Sequence, residues 1–367
     1  MTKNVLITGG CGFIGRHLTT ELLDHGYSVR VLDGLVEQVH GAGKEDFDSR
    51  AEFLFADIRD ADALRAALEG VDQVVHLAAE VGVGQSMYEI ARYVGANDLG
   101  TAVLLETMID LPVERIVVAS SMSVYGEGRY VTEDGTPAAP RSGRGREAGD
   151  WNPRTSEGLP LVPVPTDEEK PVDLASIYAL TKYAQERAVL IFAQAYRRQA
   201  AALRLFNVFG PGQALSNPYT GVLANFASRL ANGQAPTIFE DGDQRRDFVH
   251  VRDVARAFRL ALEQPDCDGQ VLNVGSGSSY TIRQVAELLA EAMGTPEIEP
   301  QILNSARSGD IRHCFADISK ARELIGYEPR FRLENTLDEF VDWVRRNEAI
   351  DRGAEMRLQL ERRGLVA

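Results

Sequence analysis

Val5-Leu6-Ile7-Thr8-Gly9-Gly10-Cys11-Gly12-Phe13-Ile14-Gly15, near the start of this 367-residue chain, reads as a strand, a glycine-rich turn and the start of a helix. Gly9, Gly12 and Gly15 fall in a G-x-x-G-x-x-G spacing. The first lets the chain turn sharply out of the strand, the second lets backbone approach a pyrophosphate, and the third lets the helix pack closely on the strand. An apolar strand precedes the run and an amphipathic helix with Ile14, Leu18 and Leu22 follows it. The stretch therefore predicts a dinucleotide site, with the exposed N–H groups of the helix holding the anion.

Outward from this turn, short apolar strands alternate with helices: Val5 to Thr8, Ser28 to Leu32, Glu52 to Ala56, Gln73 to Leu77, Arg115 to Ala119 and Ala201 to Leu205. Such alternation means a parallel sheet wrapped by helices, an α/β fold of the doubly wound Rossmann type. Asp33 ends the second strand, where an acid binds the adenosine ribose hydroxyls and repels a 2′-phosphate, favouring NAD over NADP. Asp57, after the third strand, faces the adenine edge or caps the following helix. Residues 127–171 break the rhythm with Gly, Pro, Arg and Glu, including Gly143-Arg144-Gly145-Arg146, and read as a long surface excursion. From Leu215 the alternation loosens, with helices near Val222 to Ala231 and Ile282 to Ala292 and an amphipathic helix over Leu333 to Arg346. The reading is a Rossmann domain over 1–205 with a returning segment about 245–275, and a smaller α/β substrate-binding lobe from 206–244 and 276–346. A charged helical tail follows over 347–367.

Composition narrows the function. Thirty-nine Lys and Arg against 54 Asp and Glu leave a net charge of −15, which opposes broad recognition of a phosphate backbone and so excludes nucleic acid as a partner. An anionic ligand must then meet locally placed arginines. Cys11, Cys267 and Cys314 are odd in number and lack metal-ligand spacing, so no metal site is expected and a reducing cytoplasm is. Met1-Thr2-Lys3 runs straight into a strand without a signal peptide, and no apolar run reaches the ~18 residues of a membrane span.

The chemistry lies far from the opening. Tyr178-Ala179-Leu180-Thr181-Lys182 puts a phenol and an ammonium at i and i+4, on one helix face. A nearby cation stabilises the phenolate and lowers the phenol's proton affinity toward neutral pH, making it a usable acid or base. A solvated helix face explains the same pair. Ser120-Ser121 follows the Arg115 to Ala119 strand, so these hydroxyls emerge at the carboxyl edge where open α/β sheets bind ligands, or cap a helix.

Together these residues resemble the extended short-chain dehydrogenase/reductases that modify nucleotide sugars. The resemblance runs from Val5 to about Trp343. Its motifs are Thr8 to Gly15, His76-Leu77-Ala78-Ala79, Asn97, Val118 to Ser121 before Val124-Tyr125-Gly126, Tyr178 to Lys182, and Arg204 to Gly212. It implies Tyr178 as the catalytic base, Lys182 as the group that lowers its pKa and binds the nicotinamide ribose, and Ser121 as hydrogen-bond partner of the reacting oxygen. It places NAD against Gly9, Gly12, Phe13, Ile14, Gly15, Asp33, Asp57, Ile58, Leu77, Ala78, Ala79, Asn97, Ser120, Phe206 and Val208. His76 is read as packing. Val81, Met122, Asn207 and Val222 are implied for the substrate. Arg246 and Arg307 are implied for its diphosphate and Asp310 for a place near its nucleoside. Cys314 falls where a residue gates the sugar pocket.

Within that family, 4,6-dehydratases carry an Asp-Glu pair after the catalytic hydroxyl residue, and related decarboxylases a Glu. This chain has Met122 and Ser123, neither an acid nor a base near neutral pH. The implied chemistry stops at oxidation and re-reduction, that of a 4-epimerase. Val83 to Ile90, Gln213 to Val222 and the insertion ending Pro163-Val164-Pro165-Thr166 further resemble the family's dTDP-L-rhamnose 4-epimerase branch, with UDP-hexose enzymes next. The alternatives are an NAD(P)-dependent 4-ketoreductase and a non-catalytic dinucleotide sensor. The resemblance also implies a homodimer through a four-helix bundle, with Ala102, Leu105, Met108, Tyr183, Val189 and Leu190 as candidate apolar surface.

Overall fold

Val5, Leu6 and Ile7 are buried without residue, because both faces of their strand are covered. Val5 and Ile7 enter one core and Leu6 another, as the two-residue period of a strand requires. The structure, a computed structural model, describes residues 2–40, 47–140, 150–215, 221–306, 310–347, 358–359 and 361–365.

The strands of the central sheet are β1 (Asn4–Thr8), β2 (Ser28–Asp33), β3 (Glu52–Phe55), β4 (Gln73–His76), β5 (Arg115–Ser121), β6 (Gln199–Leu205) and β7 (Gln270–Val274). They run parallel in the order β7-β6-β5-β4-β1-β2-β3. This bears out the doubly wound α/β class. The order reverses between β1 and β4, where Thr8 pairs with both Leu32 and His76, so a crevice opens beyond Thr8.

On one face lie α2 (Ala61–Leu68), α3 (Gly100–Met108) and α4 (Ile177–Tyr196), packing Leu64, Leu104 and Val189 against Leu6 and Val118. The other face carries α1 (Phe13–Asp24), whose Leu18 and Leu22 meet Ile7 and Val31, and the helix Val251–Glu263 with Phe258. A third core joins the helices Val222–Ala231, Ile282–Met293 and Leu333–Arg346 through Phe226, Leu289 and Phe340.

The described parts of segment 127–171, residues 127–140 and 150–171, are more structured than a surface excursion. Arg129–Val131 pairs antiparallel with both Pro137–Ala138 and Val162–Val164, and Tyr130, Trp151 and Leu161 are buried. The layer is stitched to the strand His313–Cys314 and its sequel by Gly128 N–H to His313 O at 2.7 Å and Thr166 N–H to Phe315 O at 2.8 Å. Gly143 to Arg146 and most of the expected tail lie outside the described residues.

The apolar residues offered for a partner need correction. Leu105, Met108, Val189 and Leu190 are consumed by the chain's own core, and Tyr183 packs against the opposite one. Ala102 is exposed, and the large apolar side chains left outward on or just before these helices include Leu99, Leu180, Ile191 and Tyr196, at 52, 46, 57 and 46% exposure. Helical periodicity marks a buried stripe without saying which neighbour buries it.

A buried ion pair fixes α4 to the sheet. Arg204 on β6 donates through Nε and Nη2 to Glu186 at 2.9 and 2.7 Å, and Ser120 Oγ donates to the same carboxylate at 2.6 Å. Removing one partner of such a pair leaves the other charge buried and alone. Glu186→Ala is therefore expected to cost about 3–5 kcal/mol, read as a lower urea midpoint at unchanged m-value.

Candidate active site

The carboxyl ends of the central strands open into a cavity of about 970 Å³ that extends past the helix Val222–Ala231 to Phe239 and Phe248. Its floor is the glycine turn. Gly9 has φ +72°, and a Cβ there would stand 2.8 Å from Ala78 N; a Cβ on Gly15 would stand 2.5 Å from Gly10 Cα. Both approaches exclude a side chain. Gly12 is the N-cap of α1 and supplies no capping side chain, nor is there an acid in the first turn, which leaves that turn's N–H groups for an anionic ligand. Phe13 and Ile14 line the same wall. This cradle fits a pyrophosphate.

Asp33 also lines the cavity. It accepts from Cys11 N and Leu35 N, each at 2.9 Å, and its Oδ1 lies 3.5 Å from His40 Nε2. Burial would raise its pKa, but the bonds from His40, Leu35 and Cys11 together hold the carboxyl below its ordinary value. It is therefore ionised at neutral pH, with the charge that disfavours a 2′-phosphate. Asp57 and Ile58 line the cavity too. Asp57 is half exposed and binds Arg59 at 2.8 and 2.6 Å, while the cap of α2 is Asp60, accepting from Asp62 N and Ala63 N. The capping alternative for Asp57 is thus taken by its neighbour.

Leu77, Ala78, Ala79 and Val81 continue the lining, but Asn97 does not. Its side chain is fully enclosed: Oδ1 accepts from Glu80 N at 2.7 Å, and Nδ2 donates to Glu80 O and Thr181 Oγ1. It ties the loop after β4 to α4 from behind, which sequence order alone does not distinguish from a cofactor contact.

The wall with chemistry is built by β5 and α4. Ser121 ends β5 and caps the turn Met122–Tyr125, accepting from Ser123 N at 3.2 Å and from Ser123 Oγ at 3.0 Å. Ser176 caps α4 by accepting from Ala179 N, and Ser86 Oγ accepts from Tyr178 N at 3.0 Å. Tyr178 is so pinned in the first turn, where the helix's positive end favours an anion, and the Ser121 hydroxyl is near enough to favour its phenolate. Ser120, Ser121, Met122, Tyr178 and Lys182 all line the cavity, although the Ser120 hydroxyl is committed to Glu186.

The electrostatic balance departs from the expected one. Burial pushes the Tyr178 phenol up, offset in part by the nearby Ser121 hydroxyl. Burial also brings the Lys182 ammonium down to about 7, against the favourable charge of Glu186. Lys182 Nζ donates to Gln185 Oε1 at 2.6 Å. Desolvation therefore governs both groups, and the spacing on the helix face does not by itself produce an acidic phenol.

Opposite this wall stand Phe206, Asn207 and Val208 after β6, with Val222, Arg246 and Asp310. Asn207 Oδ1 is buried without a hydrogen-bond partner among the described residues, the kind of atom a polar ligand satisfies. The Arg246 guanidinium donates to the carbonyls of Arg245 and Arg312 at 2.9 and 3.0 Å, and to that of Ile311. Arg307 lies outside the described residues. Cys314 requires correction: it does not line the cavity. Its strand pairs with Arg245–Arg246, and its side chain sits in the sheet-face core beneath Gly128 and Thr166, where burial pushes the thiol up to about 12.

Sequence reasoning missed Gln185, His40, Gln213 and the polar residues of the helix Val222–Ala231. Val222, Asn225, Phe226 and Arg229 all face the cavity. Their i, i+3, i+4, i+7 spacing marks one helix face, a signal available in the sequence once Val222 is chosen.

Fold, glycine cradle and the Tyr178–Lys182–Ser121 wall define a dinucleotide-binding enzyme of the short-chain dehydrogenase/reductase type. The chain belongs to the NAD dependent epimerase/dehydratase family, whose model matches residues 5–146 and 153–275. NAD is accordingly its cofactor. It is 35% identical over 351 residues to a dTDP-L-rhamnose 4-epimerase of Burkholderia thailandensis, covering 93% of this chain and 95% of that one. Among solved structures it resembles the UDP-glucose 4-epimerase of Thermotoga maritima with UDP-glucose (TM-score 0.77, 33% identity, 94 and 99% coverage). It also resembles the Thermus thermophilus UDP-glucose 4-epimerase in complex with NAD (TM-score 0.75, 30% identity, 93 and 99% coverage).

His76, read as packing, is buried beside the site. Its Nδ1 lies 2.7 Å from Thr8 Oγ1 and its Nε2 2.9 Å from Thr101 Oγ1. Burial, and then the Lys182 charge, bring it from 6.5 down to about 3. The unfolded chain therefore binds a proton there below about pH 6.5 while the folded chain does not, so this contribution to stability is lost as pH falls from 6.5 toward 3. Its slope is about 1.4 kcal/mol per pH unit. Urea unfolding across this window is expected to show a shallower pH dependence in His76→Gln than in the parent.

Proposed function

We propose that this protein is a 4-epimerase of a nucleotide-diphosphate sugar, with dTDP-L-rhamnose and its C4 epimer 6-deoxy-L-talose as the favoured pair and UDP-hexoses next. The observation that carries the reading is one wall on which Ser121, Tyr178 and Lys182 meet while Met122 and Ser123 take the next places. The wall offers a base for a hydroxyl at C4 and no acid or base for eliminating water at C5 and C6. The dTDP-L-rhamnose preference rests on the Burkholderia relative, and on Val81, Val83, Met87 and Met122, which supply apolar lining suited to a 6-methyl group.

NAD, when bound against the Gly9–Gly15 turn and Asp33, supplies the redox chemistry, taking hydride from C4 and giving it back. The chain's own residues manage protons and orientation. Tyr178 accepts the C4 hydroxyl proton as the carbonyl forms and returns it when hydride comes back to the other face. Ser121 holds the C4 oxygen through both half-reactions. Lys182 supplies the positive charge that favours the phenolate, a role that needs its protonated form. Arg246, fixed by three backbone carbonyls, meets the diphosphate as a positioned guanidinium. Asn207 Oδ1 takes a hydrogen bond from the substrate. The exposed Leu99, Leu180 and Ile191 form the contact of a homodimer that pairs α4 and the helix after Asn97 with their copies.

The reading is tested by incubating the protein with dTDP- and UDP-sugars and following C4 configuration by NMR. Interconversion without added or consumed NAD(P)H is expected; stoichiometric consumption would identify a reductase instead. Tyr178→Phe removes the proton acceptor and is expected to lower kcat by about 10²–10⁴-fold, with NAD binding retained. Turnover at the parental rate would sink the assignment of the base.

A further inference from the structure

Gln185 lies one helical turn beyond Lys182, and a surface helix needs no amide there. It is buried, with 1% of its surface exposed, and every polar hydrogen of its side chain is placed. Oε1 accepts from Lys182 Nζ at 2.6 Å, while Nε2 is 2.9 Å from Thr101 Oγ1 and 3.3 Å from Ala78 O. The reverse amide orientation would turn NH₂ toward an ammonium, so Lys182 itself selects this one.

The polar chain continues behind the site. Thr101 Oγ1 donates to Asn97 O at 2.5 Å and accepts from Gln185 Nε2, while His76 Nε2 lies 2.9 Å from Thr101 Oγ1 and 3.1 Å from Gln185 Nε2. His76 Nδ1 is hydrogen-bonded with the Thr8 hydroxyl at 2.7 Å, and Thr8 Oγ1 accepts from Ala78 N at 3.3 Å. Both ends of the network reach Ala78, in the loop that lines the cavity and presses against Gly9.

We propose that Gln185 is a positioning residue of the reaction, holding the Lys182 ammonium in place on the Tyr178 face of α4 and coupling it, through Thr101 and His76, to the cofactor loop at Ala78. The role rests on the epimerase reading only for the consequence in turnover. The placement of Lys182 is a property of the chain itself.

A neutral amide suits this position. A carboxylate would neutralise the cation on which the phenolate depends, and an apolar residue would leave a buried ammonium with fewer partners. The titratable and charged groups around Lys182 are His76 on β4, Glu186 on its own helix with Arg204 on β6, and Tyr178, against which Tyr93 lies from the segment before α3. Glu186 is bound to Arg204 and Ser120, and His76 is neutral near pH 7. Gln185 is the side chain with a direct bond to the ammonium among the described residues.

The sign follows. A hydrogen bond accepted from the charged form favours that form, so removing the acceptor lowers the Lys182 midpoint from about 7, and a carboxylate in its place raises it. The chain has five lysines, few enough to resolve the Lys182 side chain by NMR after ¹³C-lysine labelling, with Lys182→Met for assignment. In the full-length protein, Gln185→Leu is expected to move the midpoint down by about one pH unit and Gln185→Glu up by about one or more. The alkaline limb of kcat should follow in the same two directions, giving about a tenfold loss for Gln185→Leu above the parental midpoint.

Opposite shifts in two variants are not produced by general loosening of the fold. Gln185→Glu, nearly isosteric, carries the test if the leucine variant fails to fold. An unchanged Lys182 midpoint in the folded variants overturns the assignment whatever the activity. Opposite shifts together with no epimerisation of any sugar by the parent support the positioning role and overturn the epimerase reading alone.

Discussion

The site depends on a carboxylate that never reaches it. Glu186, inside the contact between α4 and the sheet, accepts from Arg204 on β6 and from Ser120 on β5. Ser121 is the next residue along β5, and Lys182 and Tyr178 lie one and two turns back along α4. Angle and height of the helix over the strand edge are set by bonds with little freedom to slide, since a buried charge tolerates no loss of its partner. With that contact fixed, the hydroxyl at the strand end and the phenol at the helix start meet across one cavity wall.

Burial does the remaining electrostatic work. The chain is acidic, at −15, yet two of the positive groups lining the cavity are individually mounted: Arg246 on three carbonyls and Lys182 on Gln185. Held this way, they lose little freedom on meeting an anion, and net charge matters less than where each cation is kept. Enclosure also brings Lys182 near neutrality, so small changes in its surroundings decide whether it is charged. In this chain the immediate surroundings are an amide network rather than solvent.

Much of this was legible in residue order. The glycine spacing, the alternation of apolar strands and the acid at the end of β2 each express a local backbone or packing rule, and the structure places Gly9, Gly12, Gly15 and Asp33 on the cavity as those rules require. Where the reading failed, a second surface had intervened. Cys314 was assigned to a sugar pocket, but the layer that holds Gly128 and Thr166 covers its strand and takes the side chain into the core. Asn97 was assigned to the cofactor, but both ends of its amide are used between Glu80 and Thr181. Leu105, Met108, Val189 and Leu190 were offered to a partner, but their own sheet buries them.

Sequence by itself determined the fold class, the phosphate-binding turn, the Ser121, Tyr178 and Lys182 trio and the lack of an acid at Met122 and Ser123, because each is carried by spacing along one element or by residue identity alone. Tertiary structure decided what depends on contacts between elements distant in the chain. These are the enclosure that sets the protonation of Tyr178 and Lys182, the polar chain from Ala78 through His76 and Thr101 to Gln185, and which apolar faces remain outside. Hydrogen-bond partners and desolvation are properties of neighbours in space, and α4 acquires its neighbours only when it lies down on β5 and β6.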